Sequence, residues 1–171
     1  MDATSQPPRL VVMGVSAVGK STVGRHVAEA LGLRFIDADD LHAPASITKM
    51  ASGVPLTDDD RMPWLRECGR ALTGADGGAV IACSALTRAY RDELRGEASD
   101  AVFIHLHADP VHIQERAAQR AGHFMPPSLL ASQLATLQPL DDDERGITVD
   151  AVQPIETVVA DIVSGLRSLS A

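Results

Sequence analysis

Asparagine is absent from the chain and lysine is nearly so. Without Asn, the N-K-x-D signature that reads a guanine base cannot occur. Of the 15 cationic residues, 13 are Arg, and only Lys20 and Lys49 are Lys. We read the Arg excess as genome composition, which makes each Lys a residue to explain. Cysteine is scarce too. Cys68 and Cys83 are too few for a disulfide framework and are not spaced as metal ligands, so a reducing, cytoplasmic setting is expected. Positive charge is the minority sign: 15 Lys and Arg against 23 Asp and Glu leave a net charge of −8 and a pI of about 5.1. Such a chain has no basic field to draw a polyanion, so neither nucleic acid nor an anionic membrane surface is an expected partner. One small phosphate held at a local site remains compatible with it. No apolar run reaches the roughly 18 residues of a membrane-spanning helix. The opening MDATSQPPRL lacks a basic region followed by an apolar one, so no signal peptide is expected.

What is present describes one soluble globular domain. At 171 residues, 45% hydrophobic and 22% charged, with mean hydropathy +0.03, the chain is long enough to bury its own core. Wholesale disorder and collagen-like structure are excluded. Residues 1–8, polar with Pro7-Pro8, read as a disordered lead, which leaves 9–171 as a single domain. From there, short apolar runs alternate with amphipathic segments. RLVVM (9–13), RFI (34–36), AVIAC (79–83), AVFIHLH (101–107) and ITVD (147–150) are strand candidates. Residues 20–31 place Val23, Val27, Ala30 and Leu31 on one helical face, and Gly32 stops that helix. Asp109-Pro110 and Pro154 open two later helices, over 109–121 and 154–169. Five short strands separated by helices predict an α/β fold with a mostly parallel sheet. The Gly- and Pro-interrupted stretch 122–133 reads either as a mobile lid or as an ordinary helix–helix turn.

Residues 14–21 match G-x-x-x-x-G-K-[ST] in full, between an apolar strand and an amphipathic helix. Gly14 and Gly19 let the backbone fold into a nest whose N–H groups, from Ser16, Ala17 and Val18 onward, point at phosphate oxygens. The helix that follows adds its positive end. Lys20 supplies a point charge for the β- and γ-phosphates, Ser21 offers a hydroxyl to Mg²⁺, and Thr22 faces the base-side phosphate. The usual second strand ending in Asp is missing, because 79–84 reads AVIACS. The metal-side carboxylate is instead expected in FIDADD (35–40). Asp37 and Asp39, two apart at the carboxyl end of the second strand, share one face if strand geometry persists. Asp37 suits the metal and Asp39 the acceptor hydroxyl. The bland alternative for these acids is a helix cap, and Asp40 is expected in that role or merely solvated. The acidic run 141–144 reads as surface.

The collected residues resemble the gluconokinases of the phosphate-loop type, bacterial and eukaryotic, which are relatives of shikimate kinase and the nucleoside monophosphate kinases. The resemblance runs from Gly14 to about Pro154. It rests on GVSAVGKST (14–22), FIDADDLH (35–42), KMASGVPLTDDDRMPWL (49–65), CSALTRAYRDELR (83–95), GHFMPPSLLASQLATL (122–137) and VDAVQPIE (149–156). The 49–65 segment is distinctive, since shikimate and adenylate kinases do not carry it. The family implies a five-stranded parallel sheet flanked by helices, a substrate-binding segment over about 39–65 and a closing lid over about 121–133. It implies ATP and Mg²⁺, D-gluconate as acceptor, 6-phosphogluconate as product, and a homodimer.

Gluconate is a polyol with a carboxylate, so its pocket needs a cation and polar groups. Arg61 is the first candidate for the carboxylate, with a salt bridge to the acids at 58–60 as its alternative. Lys49, His42, Ser84 and Arg88 are further substrate candidates, and for Lys49 and His42 a solvated or structural role is the alternative. Arg116 and Arg120 share a helical face leading into the lid. By resemblance Arg116 stacks near the adenine or a phosphate and Arg120 reaches the phosphates. By the same resemblance His123 and Phe124 belong to the lid and touch the substrate, and Gln153 and Pro154 wrap the adenine. Trp64 is expected in packing rather than as a stacking platform. One departure stands out: Ser46 occupies a position where the family often has Asn, keeping one hydrogen-bonding group and losing the amide fork. Two other readings remain open, a kinase for shikimate or another sugar acid and a non-catalytic ATP-binding regulatory module.

Overall fold

The strands are β1 (Arg9–Met13), β2 (Arg34–Asp37), β3 (Ala79–Ala82), β4 (Val102–His107) and β5 (Gly146–Asp150). They form one parallel sheet in the order β2-β3-β1-β4-β5, in a computed structural model that describes residues 6–119 and 127–170. The helices are α1 (Lys20–Leu31), α2 (Pro44–Ala51), α3 (Asp58–Thr73), α4 (Arg88–Glu97), α5 (Pro110–Gln119), α6 (Pro127–Thr136) and α7 (Ile155–Ser170), with a 3-10 turn at Ala38–Leu41. The five expected strands are all present, each within one residue of its predicted ends.

Alternation along the strands divides the core in two. Leu10, Val12, Val80, Ile104 and Leu106 pack with α1 and α7 through Val23, Val27, Val158 and Ile162. Val11, Met13, Ile81 and Phe103 face the other way, onto Leu65, Cys68 and Leu72 of α3 and Leu94 of α4. Both sheet faces are covered, which is why the inner strands read as unbroken apolar runs rather than as alternating ones. α1 lies close to the sheet because it carries Gly24: a Cβ there would stand 2.8 Å from Phe35. Gly32, at φ 66°, ends that helix in the left-handed conformation expected of it. α3 opens on a capping box between Thr57 and Asp60.

The 3-10 turn is capped by Asp37, whose side chain accepts the Asp39 N–H, and Asp40 is exposed, the solvated alternative expected of it. Two expectations are corrected. Of the expected lead, residues 1–5 lie outside the described residues, but Pro8 is held by the sheet: its carbonyl accepts the Ala79 N–H at 3.1 Å and so prolongs the β1–β3 ladder. The run 141–144 is not all surface: the Glu144 carboxylate is fully buried on Arg91, itself fully buried. Of the stretch 122–133, residues 127–133 belong to α6, while 122–126 lie outside the described residues.

His105 is an anomaly of the core. On β4 it pairs in register with Met13 of β1, is 2% exposed, and neither ring nitrogen has a hydrogen-bond partner among the described residues. Burial, with His107 and Arg91 adding positive charge nearby, holds its pKa at about 4, below the ordinary 6.5. The unfolded chain therefore takes up a proton that the folded chain refuses. Stability is complete above pH 6.5 and falls as the pH drops toward 4, by about 3 kcal/mol for this group. Urea midpoints measured across that range should fall with pH in the native sequence and fall less in His105→Leu. Equal slopes would remove His105 as the cause.

Candidate active site

The loop between β1 and α1 has the backbone its glycines permit. Gly14 stands at φ 149° and Gly19 at φ 102°, and a Cβ on Gly14 would lie 2.9 Å from the Leu106 carbonyl. Ala17 also takes a left-handed φ of 67°, a strained value for a non-glycine residue. The Lys20 ammonium folds back over the loop and donates to the Val15 carbonyl at 3.0 Å. α1 begins directly at Lys20 with no side chain capping its first turn, so its leading N–H groups face the loop.

Asp37 and Asp39 reach the same cavity by a route the strand argument does not give. β2 ends at Asp37, and the 3-10 turn carries Asp39 onward. The Asp37 carboxylate takes the Asp39 N–H at 3.0 Å and the Ser21 hydroxyl at 3.5 Å. That hydroxyl–carboxylate pair, beside a phosphate nest, suits Mg²⁺, which keeps most of its water and phosphate ligands and needs one or two protein oxygens. The described residues hold no cluster of three or more His, Cys, Asp or Glu that could cage a metal. Asp39 projects openly, 87% exposed, with its Oδ1 4.0 Å from His42 Nε2.

A cavity of about 210 Å³ is bounded by Lys20, Ser21, Asp37, Asp39, His42, Arg61 and Ser84, with Ser16, Leu56, Trp64, Ala82 and Gln133 completing its wall. His42 is stacked on Trp64, with centroids 4.3 Å apart and planes 14° from parallel. Trp64 is anchored by its indole N–H on the Ala38 carbonyl at 2.7 Å, so it both packs and acts as a platform for His42. Burial pulls the His42 pKa below its ordinary value, Arg61 pulls it the same way, and Asp39 opposes them. A ring that burial biases toward its neutral form, with a buried Nδ1 that has no hydrogen-bond partner among the described residues, is left beside the cavity. Arg61 lies at the rim, donating to the Tyr90 hydroxyl at 3.3 Å and standing 3.7 Å from Asp58, so its salt bridge and its place in the wall coexist.

A second cavity, of about 380 Å³, opens on the other side of the loop, against Ala17, Val18, Gly19 and Thr22. Arg116 forms its edge and bridges the Val18 carbonyl at 3.1 Å to the Ala151 carbonyl at 3.0 Å. Gln153 lines it too, donating to the Asp150 carbonyl and the Asp161 carboxylate. Pro154 is not in the wall. Its carbonyl caps the first turn of α7, and Ile155 takes the lining position.

Two predicted substrate cations are placed elsewhere. Arg88 is committed to Asp92, Asp141 and Asp143 at 2.7–3.1 Å, outside the cavity. Lys49 pairs with Asp60 at 2.7 Å, which holds that carboxyl at about 2 and ties α2 to the cap of α3. Ser46 is buried and does not line the cavity. Arg120 and His123 lie outside the described residues. Gln133 was missed in the sequence. Its one signal in the pattern is that it shares a helical face with Leu130 and interrupts the apolar pair Leu130, Leu134 of its helix.

The sequence model of the shikimate kinase family matches residues 16–138. A gluconokinase of Gluconobacter oxydans is 45% identical, over 92% of this chain and 90% of its own length. The thermoresistant gluconokinase of Escherichia coli is 42% identical, over 92% of each chain. The crystal structure of a gluconokinase from Sinorhizobium meliloti superposes with a TM-score of 0.87 at 47% identity, covering 96% of this chain and 94% of that one. The chain belongs to the gluconokinase family, built on the phosphate-loop kinase fold of the shikimate kinases.

Proposed function

We propose that the protein transfers the γ-phosphoryl group of ATP to the 6-hydroxyl of D-gluconate, giving 6-phospho-D-gluconate and ADP. The observation that carries this reading is the pair of cavities flanking one phosphate loop. The larger has apolar walls and an Arg edge suited to a base, and the smaller has a carboxylate, a neutral His and an Arg suited to a polyol acid. Arg61 offers the gluconate carboxylate a planar fork. His42 and Ser84 meet its hydroxyls. Asp39 orients the 6-hydroxyl and takes its proton as that oxygen bonds to the γ-phosphorus and the bond to the β,γ-bridging oxygen breaks. Lys20 and the loop amides hold the phosphates against the charge that shifts to the leaving ADP. Ser21 and Asp37 would hold Mg²⁺, which neutralises the phosphate oxygens when bound. Arg116 and Gln153 belong to the nucleotide end, and Arg120 and His123 are assigned by family resemblance alone.

The reading includes a small-molecule substrate only, a cytoplasmic setting and a homodimer. No described helix is long and apolar enough to cross a membrane. ADP release from ATP and Mg²⁺ should be rapid with D-gluconate and negligible with shikimate and other sugar acids. Turnover with a different acid alone would keep the kinase and discard gluconate. Silence across the panel with ATP still bound would favour a regulatory module.

A further inference from the structure

The Ser16 N–H, one of the amides of the phosphate loop, donates to the side-chain oxygen of Gln133 at 2.7 Å, across 117 residues of sequence. Ser16 sits between Val15, whose carbonyl holds the Lys20 ammonium, and Ala17 in its left-handed conformation. Consecutive amides in such a bend converge on anions. One of them is here engaged by a neutral carboxamide from α6. Gln133 also lines the acceptor cavity beside Lys20, Ser21, Asp37 and Asp39. With Oε1 committed to Ser16, Nε2 carries two N–H donors and makes no hydrogen bond among the described residues. α6 does not depend on this contact for its seat, because Leu130, one turn earlier on the same face, is buried in the core.

We propose that Gln133 reads the phosphoryl group in transit: Oε1 fixes the Ser16 amide while Nε2 donates to an oxygen of the γ-phosphoryl group. The residue is thereby a specificity determinant, favouring the triphosphate over the diphosphate. A carboxamide suits the task because it offers an acceptor to the loop and a donor to an anion from one rigid plane. A carboxylate in its place keeps the first contact and reverses the second. This inference rests on the kinase reading but not on gluconate as the acceptor.

Two variants and two nucleotides test it. Affinities for ADP and for the non-hydrolysable β,γ-imido analogue of ATP, measured by calorimetry with Mg²⁺ and no acceptor, separate the γ-phosphoryl contact from the rest. In Gln133→Glu, ADP affinity should stay within about twofold while the analogue weakens about tenfold or more and kcat falls about a hundredfold. In Gln133→Met, of similar length with neither function, the analogue should weaken less and kcat fall about tenfold, with the KM for acceptor within about twofold. If Gln133→Glu behaves as the native sequence, the residue is only a tie for the loop amide and the proposal is overturned. Equal weakening of ADP and analogue in both variants also overturns it. Gln133→Met carries the same comparison if Gln133→Glu does not fold. Failure of the native protein to phosphorylate gluconate would appear separately, since the nucleotide comparison contains no acceptor.

Discussion

Replacing Asp39 by asparagine is expected to lower kcat by roughly 10²–10⁴, the usual contribution of a general base. Asn keeps the size of the side chain and its hydrogen-bonding oxygen, so substrate is still oriented. It removes the capacity to accept the hydroxyl proton. Three features make Asp39 the residue to change. It lines the acceptor cavity, its carboxylate projects openly into reach of a substrate, and no Arg or Lys among the described residues pairs with it. Asp37, by contrast, is occupied by the Ser21 hydroxyl and the Asp39 amide. Nucleotide affinity should change by no more than about threefold, because the one ion-pair partner of the Asp39 carboxylate among the described residues is His42, outside the phosphate loop. Steady-state ADP release together with ADP titration measures both. An unchanged kcat removes Asp39 from proton transfer, and a large loss of ADP affinity would make its role one of loop geometry instead.

Replacing Glu144 by alanine is expected to destabilise the fold by about 3–5 kcal/mol, a large share of the stability of an ordinary domain. The Glu144 carboxylate accepts from Arg91 Nε at 2.7 Å and Nη2 at 3.0 Å, from Arg95 at 2.9 Å and from the Asp141 N–H at 2.8 Å. Arg91 is fully buried and also donates to the carbonyls of Ala85 and Pro139. Deleting the acid leaves that guanidinium uncompensated in the interior, which costs more than the pair itself is worth. Urea unfolding gives the figure, and a loss below about 1 kcal/mol would rank the bridge with surface pairs. Burial alone would raise the Glu144 pKa, but the hydrogen bonds from Arg91, Asp141 and Arg95 outweigh it and hold the group at about 2. Its contribution is thus present above pH 4.5 and lost as the pH falls toward 2, mostly below the window in which His105 acts. The bridge also reaches the site: Arg91 holds the carbonyl of Ala85, a residue at φ 43° directly after Ser84 of the acceptor cavity.

Local pattern made much of this legible. The phosphate loop is a contiguous motif whose every fixed residue has a physical reason, and the strands are apolar runs bounded by Gly or Pro. Pairings between distant segments were not legible. In the run 141–144, charge density reads as surface, because nothing nearby in sequence says that Arg91 comes from α4 to bury one of the four. Arg88 looked like a substrate cation for the same reason: the carboxylates that claim it lie up to 55 residues away. Lys49, one of only two lysines, was read toward the substrate, yet Asp60 takes it. Asp37 rather than Asp40 caps the 3-10 turn because the strand ends one residue beyond the apolar run, a shift that pattern does not resolve. Gln133 lies inside the resembling stretch 122–137, but nothing local marks it apart from its neighbours, and its contact with Ser16 singles it out.

The strand order has a consequence for how the protein comes into being. β1, which carries the phosphate loop, lies at the centre of the sheet, between β3 and β4. β3 exists only once synthesis has passed residue 82, and β4 only once it has passed residue 107. At about 5–20 residues per second, the nascent loop waits on the order of ten seconds for its frame. For most of that time the apolar strand Leu10–Met13 has neither neighbour to pair with, and until β4 is made it has only one. The nucleotide cradle is therefore a late product of folding despite being among the first segments made, and parallel pairing of such distant segments is intrinsically slow. Overproduction that outruns this step puts the yield at risk through edge-to-edge association of β1 between unfinished chains.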